Sequence, residues 1–283
     1  MKSEELLSYL YIKEKKFTFA DMKVTLIQMD VAWESPQVNC DTAERTMLAA
    51  ERSDLYVLPE MWNTGVTVEP QGVAEGEEGE TLQWMKQMAK RLDAAIAGSV
   101  AVRLADGSFR NRLYFVTPDP LDPFRGNNGQ LSMVNYQYYD KHHLFAYGGE
   151  TENYTPGNER VNVDWRGIRF RLSICYDLRF PLWLRNKDDY DVLICVASWP
   201  EVRMHAWRVL LGARAIENQC YVLGVNRIGK DPYCQYSGGT AVVDPFGFAT
   251  SCPEGEASVV TQTLDMKRLK AFREKFPVLK EQD

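Results

Sequence analysis

Apolar runs and amphipathic stretches alternate along the chain in the order typical of α/β proteins. The apolar residues at 23–30 predict a buried strand, the stretch 36–52 predicts a helix, and the apolar run 55–60 predicts a second strand. Helical spacing recurs at 81–95, and the two apolar stretches within 95–118 flank an Asp-Gly turn, which predicts a hairpin. The first half of the chain is therefore expected to open strand, helix, strand and to continue with a helix and a hairpin.

The second half continues the same alternation. A surface loop rich in Pro, Asn and Gly is predicted at 117–131, before a strand that reaches Lys141. The other predicted strands lie at 160–165, 168–174, 192–198, 221–229, 238–247 and 256–265, and the predicted helices lie at 179–187, 203–217 and 265–276. This pattern alone is compatible with several α/β arrangements, including an open Rossmann-like sheet. Because no Gly-x-Gly-x-x-Gly string follows the first strand, the sequence does not support a dinucleotide site, and we expect no organic cofactor.

Composition narrows the class of partner. The 283 residues are 45% hydrophobic, which is enough for a large core, and no linker divides them. The formal charge of −6 and the sequence pI near 5.3 give no basic footprint for nucleic acid. No apolar stretch approaches the roughly 20 residues that span a bilayer. We therefore expect one α/β domain that binds a small molecule, with neither nucleic acid nor a membrane as partner.

Three chemically active side chains lie at the ends of predicted strands. Glu60 ends the string LYVLPE, Lys141 follows YYD, and Cys175 ends RLSIC before a proline-marked turn. A thiol opens an amide only as the thiolate, so a base must take its proton or a positive charge must lower its pKa. Glu60 is our candidate base, which would return the proton to the departing ammonia and later activate water. Lys141 would stabilise the oxyanion together with the backbone N–H of Tyr176.

Histidine, metal and disulfide chemistry find less support in the sequence. Most thiol hydrolases use histidine as the base. Here, however, His142 and His143 directly follow Lys141, His205 lies in a predicted helix, and no protease-like string surrounds Cys175. The six cysteines contain no Cys-x-x-Cys pair and the adjacent histidines lack an i, i+4 partner, so we expect no metal site. The length of the chain and the lack of a secretory signal favour reduced thiols and a cytoplasmic location.

The strings that carry these three side chains resemble the nitrilase (carbon–nitrogen hydrolase) superfamily. They are LPEMWNTG around Glu60, YYDKHHLF around Lys141 and SICYDLRFPLW around Cys175. Residues 197–229 are similar to the ω-amidase branch, which hydrolyses 2-oxoglutaramate and related 2-oxo acid amides. The wider superfamily commonly has an acidic residue after the cysteine string, whereas this chain has Leu-Trp at 182–183. That departure favours the ω-amidase branch.

The resemblance implies a fold, an assembly and a fourth catalytic residue. The implied fold is a four-layer α-β-β-α sandwich, and two protomers pair across helices near the catalytic cysteine to form a homodimer. The resemblance begins at Met22, so we expect a single domain at 22–283 and an N-terminal extension at 1–21 without assigned function. Members carry a further glutamate before a Pro-Gly pair; Glu150 matches it, and Glu152 is the competing choice. A lysine held in a pocket also needs such an acid to keep its proton.

The implied reaction is hydrolysis of the terminal amide of small 2-oxo acid ω-amides, and of succinamate-like amides, to the acid and ammonia through a cysteine thioester. An arginine could clamp the substrate carboxylate with two hydrogen bonds. Arg179, Arg203 and Arg208 lie in segments expected near the pocket. Arg203 is our candidate, with Trp199 and Tyr176 as apolar walls, while Arg179 is assigned as a structural partner of Asp177 or its neighbours. The alternatives are nitrile, N-carbamoyl or acyl-transfer chemistry on the same thioester, or a catalytically silent binding protein that keeps the fold.

Overall fold

Strands and helices alternate through most of the chain. The computed structural model describes residues 21–119, 124–125, 131–132 and 135–281. Within these residues the strands are β1 (Met22–Gln28), β2 (Leu55–Val57), β3 (Glu75–Gly76), β4 (Ala95–Arg103), β5 (Phe109–Val116), β6 (Phe124–Arg125), β7 (Leu131–Ser132), β8 (Tyr136–Asp140), β9 (Asn162–Trp165), β10 (Ile168–Ile174), β11 (Val192–Ala197), β12 (Tyr221–Asn226), β13 (Ile228–Lys230), β14 (Gln235–Ser237), β15 (Ala241–Val243), β16 (Ala249–Ser251) and β17 (Ser258–Leu264). The α-helices are α1 (Pro36–Ala49), α2 (Glu80–Leu92), α3 (Glu150–Asn153), α4 (Pro181–Leu184), α5 (Met204–Glu217) and α6 (Met266–Lys275). Short 3₁₀ helices lie at Pro70–Gly72, Ala146–Gly148, Cys175–Arg179, Glu201–Arg203 and Val278–Lys280.

Most strands belong to two mixed sheets. The first has the order β17-β1-β2-β4-β5-β8, with β3 beside β4, and the second has the order β16-β15-β12-β11-β10-β9. Neighbouring strands β1, β2 and β4 run parallel, as do β10, β11 and β12. The strands that flank these two series join antiparallel, except β3, which pairs parallel with β4. Two short hairpins, β6–β7 and β13–β14, stand apart from these sheets.

One apolar core fills the space between the two sheets. Alternation along β5 shows how the sequence specifies it: Leu113 and Phe115 join the core shared with β10–β12, while Tyr114 and Val116 join a second core beneath the helices α1 and α2. Helix α5 covers the outer face of the second sheet through Trp207 in a third core. Each large apolar side chain buried in this way contributes about 1.5–3 kcal/mol. These layers confirm the predicted α-β-β-α sandwich.

Several element boundaries differ from the prediction. The predicted strand 221–229 divides at Arg227, because the buried guanidinium donates to the carbonyl oxygens of Val31 and Ile228 and β13 leaves the second sheet. The predicted strands 238–247 and 256–265 are both antiparallel, but their counterparts β15 and β17 lie in different sheets. The predicted loop 117–131 lies partly outside the described residues, and it contains the strands of the β6–β7 hairpin.

The sheet topology gathers the predicted chemistry at one edge. Parallel strands end together, so the residues that follow β2, β10 and β11 meet at the carboxyl ends of both sheets. These are Glu60, Cys175 and Ser198, and Lys141 directly follows β8. Among the described residues, no helix has the length and apolar character needed to cross a membrane.

Candidate active site

The structure brings the four predicted catalytic residues together. The Nζ atom of Lys141 lies 2.9 Å from Oε1 of Glu60, and 3.0 and 2.8 Å from the two carboxylate oxygens of Glu150. All three side chains are buried. The thiol of Cys175 lines the same cavity as these three side chains. Glu152, the competing choice for the second acid, is exposed and does not line the cavity.

Glu60 is held by groups from both sheets. Its Oε2 atom accepts a hydrogen bond from the backbone N–H of Ser198 at 2.8 Å, directly after β11. Its Oε1 atom accepts one from Nδ2 of Asn111 on β5, also at 2.8 Å. The same amide nitrogen lies 3.1 Å from Oε1 of Glu150. The Glu60 carboxylate is therefore fixed by three donors, of which Lys141 is the charged one.

Cys175 occupies a sharp bend between β10 and a 3₁₀ helix. Its φ of 46° lies in the left-handed region, which non-glycine residues seldom adopt. The carboxylate of Asp177 secures the bend, because it accepts the N–H of Ile174 at 3.0 Å and the hydroxyl of Tyr139 at 2.7 Å. The backbone and ring nitrogens of His143 lie 2.9 Å from its other oxygen. The predicted strand-to-helix position of the thiol is confirmed.

The electrostatics of the site fix where its protons lie. Burial and the neighbouring Glu60 raise the pKa of the Cys175 thiol well above its usual range, and Lys141 opposes that rise. Burial acts to lower the pKa of Lys141, but Glu150 and Glu60 outweigh it and raise that pKa well above the ordinary value. The resting site therefore holds a protonated thiol and a permanently charged ammonium group.

These residues open into a cavity of about 270 Å³. Tyr176, Trp199 and Arg203 line it, as predicted for substrate-binding residues. The guanidinium of Arg203 lies over the ring of Phe145, with its carbon 5.3 Å from the ring centroid. Arg179 lines the same cavity, and its guanidinium lies 4.9 Å from the ring centroid of Trp199.

The structure does not pair Arg179 with Asp177, the first of the partners expected for it. Both oxygens of the Asp177 carboxylate are taken by Ile174, Tyr139 and His143, so that carboxylate is satisfied without a guanidinium. Among the described residues Arg179 forms no ion pair. The structure thus places two arginines, not one, on the wall of the cavity.

The histidines are engaged elsewhere. His143 stacks on Phe180 beside Asp177, and His142 stacks on Trp183 with its Nδ1 2.6 Å from the carbonyl oxygen of Gly157. His205 is exposed on α5. Within the part of the chain that the structure describes, no group of three or more His, Cys, Asp or Glu side chains is arranged to hold a metal ion.

Comparison with known proteins bears on this arrangement. The family model described as carbon-nitrogen hydrolase matches residues 23–274. The chain belongs to the carbon–nitrogen hydrolase family. The resemblance inferred from the three strings is thereby confirmed, and the protein is an enzyme that hydrolyses carbon–nitrogen bonds.

Individual relatives of this carbon–nitrogen hydrolase cover almost its whole length. It is 39% identical to Omega-amidase YafV of Yersinia enterocolitica, over 93% of this chain and 97% of the relative. It is 32% identical to 2-oxoglutaramate amidase of Bacillus subtilis, over 90% and 95% of the two chains. A solved structure, XC1258 from Xanthomonas campestris, superposes with a TM-score of 0.84 at 38% identity, over 93% of this chain and 98% of the other. It is described as a CN-hydrolase superfamily protein with an arsenic adduct in the active site.

The sequence alone did not reveal two polar groups of the hydrolase site, Asn111 and Ser198. Asn111 carried a usable signal, because it shares the inward register of Leu113 and Phe115, where an amide is unexpected. Ser198 acts through its backbone N–H, a group that every residue except proline carries, so no side-chain pattern could mark it.

Proposed function

We propose that the protein is an ω-amidase that hydrolyses the terminal amide of small 2-oxo acid ω-amides, such as 2-oxoglutaramate, and of succinamate-like amides. The observation that carries this proposal is the set Glu60, Lys141, Glu150 and Cys175 facing a cavity, in a chain whose relatives are named for that activity. The products are the acid and ammonia, and the intermediate is a thioester at Cys175.

The reaction proceeds in two halves. Glu60 takes the proton of the Cys175 thiol, and the thiolate attacks the amide carbon to give a tetrahedral oxyanion. Lys141 and the backbone N–H of Tyr176 donate hydrogen bonds to that oxyanion. The carbon–nitrogen bond then breaks as Glu60 delivers its proton to the nitrogen, and ammonia leaves the thioester.

Hydrolysis of the thioester uses Glu60 in the same order, first as base and then as acid, with water as the nucleophile. Glu60 takes a proton from water, and the hydroxide attacks the thioester carbon to form a second oxyanion. Lys141 and the backbone N–H of Tyr176 donate hydrogen bonds to it. The carbon–sulfur bond breaks, the acid leaves, and Glu60 returns its proton to the Cys175 thiolate. Glu150 keeps Lys141 charged throughout, because its carboxylate contacts the ammonium through both oxygens.

Arg203 recognises the carboxylate of the substrate in this proposal. Among the described residues neither Arg203 nor Arg179 forms an ion pair, so both cations are available to an anionic substrate. Trp199 and Tyr176 form apolar walls that exclude water and strengthen the charged contact.

Replacement of Arg203 tests this recognition. We expect Arg203→Ala to raise KM for 2-oxoglutaramate about 10-fold or more, and to change KM for an uncharged amide far less, since the lost contact is to the carboxylate. Arg208→Ala is a matched control, because Arg208 is exposed and pairs with Glu254 outside the cavity. Equal effects of Arg203→Ala on both substrates would contradict the clamp.

A substrate panel tests the function itself. The protein is incubated separately with 2-oxoglutaramate, succinamate, glutamine, a nitrile and an N-carbamoyl amino acid, while ammonia release and intact mass are followed with and without Cys175→Ala. We expect ammonia from the first two compounds, little from the others, and none from the variant. Ammonia from the nitrile or the N-carbamoyl compound alone would instead assign another chemistry of the family.

We further propose that residues 22–283 form one catalytic domain and that two copies pair as a homodimer. The support for pairing is a set of exposed apolar side chains on the elements that follow Cys175: Leu182 of α4 is 88% exposed and Val202 is 87% exposed. Val209 and Ile216 of α5 are also exposed. Light scattering should then give about twice the 32.5 kDa of one chain.

We also place the enzyme in the cytoplasm, with a small-molecule amide and neither nucleic acid nor a membrane as partner. The support is chemical, because a reducing compartment keeps the thiol of Cys175 available. The six cysteines are all free thiols. Activity and antigen recovered in the cytoplasmic fraction of cells would agree with this location, and recovery outside the cell would contradict it.

A further inference from the structure

The side-chain amide of Asn111 bridges the two acids of the site. Its Nδ2 atom lies 2.8 Å from Oε1 of Glu60 and 3.1 Å from Oε1 of Glu150. The same two oxygens accept hydrogen bonds from Lys141, at 2.9 and 3.0 Å. A single ammonium group thus faces two carboxylates. The Asn111 amide is a second hydrogen-bond donor to Oε1 of Glu60 and to Oε1 of Glu150.

The contacts fix the orientation of this amide. An exchange of Oδ1 and Nδ2 would set a carbonyl oxygen against two carboxylate oxygens, which can only accept hydrogen bonds when ionised. In the observed orientation Oδ1 of Asn111 is buried and has no hydrogen-bond partner among the described residues. A leucine at position 111 would leave no unpaired polar side-chain atom. The unpaired Oδ1 of Asn111 is therefore a local cost to stability.

We infer that Asn111 is a positioning residue whose hydrogen bonds hold the Glu60 carboxylate in place to accept the proton of Cys175. The inference rests on the proposed function, in which Glu60 is the base. The two carboxylates share one ammonium, and their charges repel each other. Hydrogen bonds from the neutral amide favour the charged form of both acids without adding a charge of their own.

The charged and titratable groups around Glu60 come from every element packed against it. They are Lys141 after β8, Glu150 and Tyr154 at the two ends of α3, Cys175 after β10, and Cys195 on β11. Burial and Glu150 raise the pKa of Tyr154, so this phenol stays neutral. Lys141 is the single cation of the set, and nothing else in the set replaces the hydrogens that Asn111 donates to both acids.

Two variants at position 111 test the inference. Asn111→Leu removes the donor, and Asn111→Asp removes it while adding a charge. The pH dependence of ammonia release from 2-oxoglutaramate is measured between about pH 5 and 9 for each. In parallel, the rate at which iodoacetamide alkylates Cys175 without substrate is followed by peptide mass spectrometry over the same range. Asn186→Leu is the control, since Asn186 is an equally buried amide whose partners Asn218 and Tyr190 do not line the cavity.

The expected results separate positioning from packing. Asn111→Leu should lower kcat at pH 7 about 10- to 100-fold with KM within about threefold, and move the acid limb up by about one pH unit. Asn111→Asp should move that limb further, because a third carboxylate adds repulsion. A packing role predicts the opposite order, since Asp matches the shape of Asn better than Leu does. Asn186→Leu should lower the melting temperature and leave the acid limb unchanged.

Either of two results would overturn the inference: an unchanged acid limb in Asn111→Leu, or a milder effect of Asn111→Asp than of Asn111→Leu. If the leucine variant does not fold, the aspartate variant alone decides, with a raised limb in support and an unchanged limb against. The alkylation data keep this test distinct from the proposed function. Failure of the wild type to release ammonia would refute the substrate, while the alkylation profile would still report on Asn111.

Discussion

The thiol of Cys175 keeps its proton until a substrate is present. Burial and Glu60 raise its pKa, and the single cation Lys141 does not reverse that rise, because Glu150 and Glu60 already balance the ammonium. A thiolate formed without proton transfer would add a negative charge to a buried site. Transfer of the proton to Glu60 leaves the total charge unchanged, which is the electrostatic argument for Glu60 as the base in the proposed mechanism.

Replacement of Glu60 isolates this proton transfer. Glu60→Gln keeps the shape of the side chain but cannot accept the proton, so we expect kcat to fall about 100- to 10,000-fold with KM nearly unchanged. Steady-state ammonia release measures both constants. Glu152→Gln is the control, because Glu152 is exposed and does not line the cavity. It should leave kcat and KM unchanged. Activity of Glu60→Gln within threefold of the wild type would show that another group takes the proton.

Strand ends were sufficient to predict Glu60, Lys141 and Cys175, but not the groups that hold them. Each of the three follows an apolar run, so its position is a local property of the sequence. Asn111 and Ser198 lie 51 and 138 residues from Glu60 along the chain, and their contacts exist only once the strands are paired and stacked. Interactions of this kind are set by sheet order, which periodicity does not specify.

The bend at Cys175 is held from outside its own element. A non-glycine residue with a φ of 46° costs on the order of 1 kcal/mol, and the surrounding contacts must outweigh it. The hydroxyl of Tyr139, on β8, donates to Asp177 at 2.7 Å and accepts from Nε1 of Trp183 at 3.1 Å. Strand β8 of the first sheet therefore braces the nucleophile at the end of β10 in the second.

Removal of one hydroxyl group tests this brace. Tyr139→Phe should lower the free energy of unfolding by about 1–2 kcal/mol, because Asp177 and Trp183 lose a buried partner. It should also lower kcat about 10-fold through misplacement of the sulfur. Tyr190→Phe is the matched control, since it deletes a buried hydroxyl whose acceptor is the carbonyl oxygen of Leu184. Urea unfolding and steady-state kinetics should show a similar loss of stability in both variants and a loss of kcat only in Tyr139→Phe.

At the level of elements, type was predictable and sheet membership was not. Apolar spacing identified α1, α2 and α5 and the strands that flank them, because each buries one face or both. The separation of β13 from β12 depends on Arg227, whose buried guanidinium turns the chain toward Val31. An arginine inside an apolar run gives no local sign of that turn. The family resemblance, rather than periodicity, predicted the stacking of the two sheets.

Buried thiols are distributed through the layers of the molecule. Burial raises the pKa of Cys40, Cys195 and Cys220 to about 12, and that of Cys252 to about 11. Each value lies above the 9.0 of an ordinary thiol. Above pH 9 the unfolded chain releases protons that the folded chain keeps, so the stability linked to these groups is fully present below pH 9 and falls as pH rises toward 12.

This linkage gives the whole molecule a measurable alkaline instability. Cys195 and Cys220 are fully buried, and each should lower the free energy of unfolding by about 1.4 kcal/mol per pH unit between pH 9 and about 12. Cys220 is fully buried, so Cys220→Ala should flatten the slope by about that amount, whatever the substitution costs at neutral pH. Urea unfolding in reductant at several alkaline pH values measures the slope, and tyrosine ionisation cancels in the comparison because both proteins share it. Equal slopes for Cys220→Ala and the wild type would show that the Cys220 thiol ionises as readily folded as unfolded.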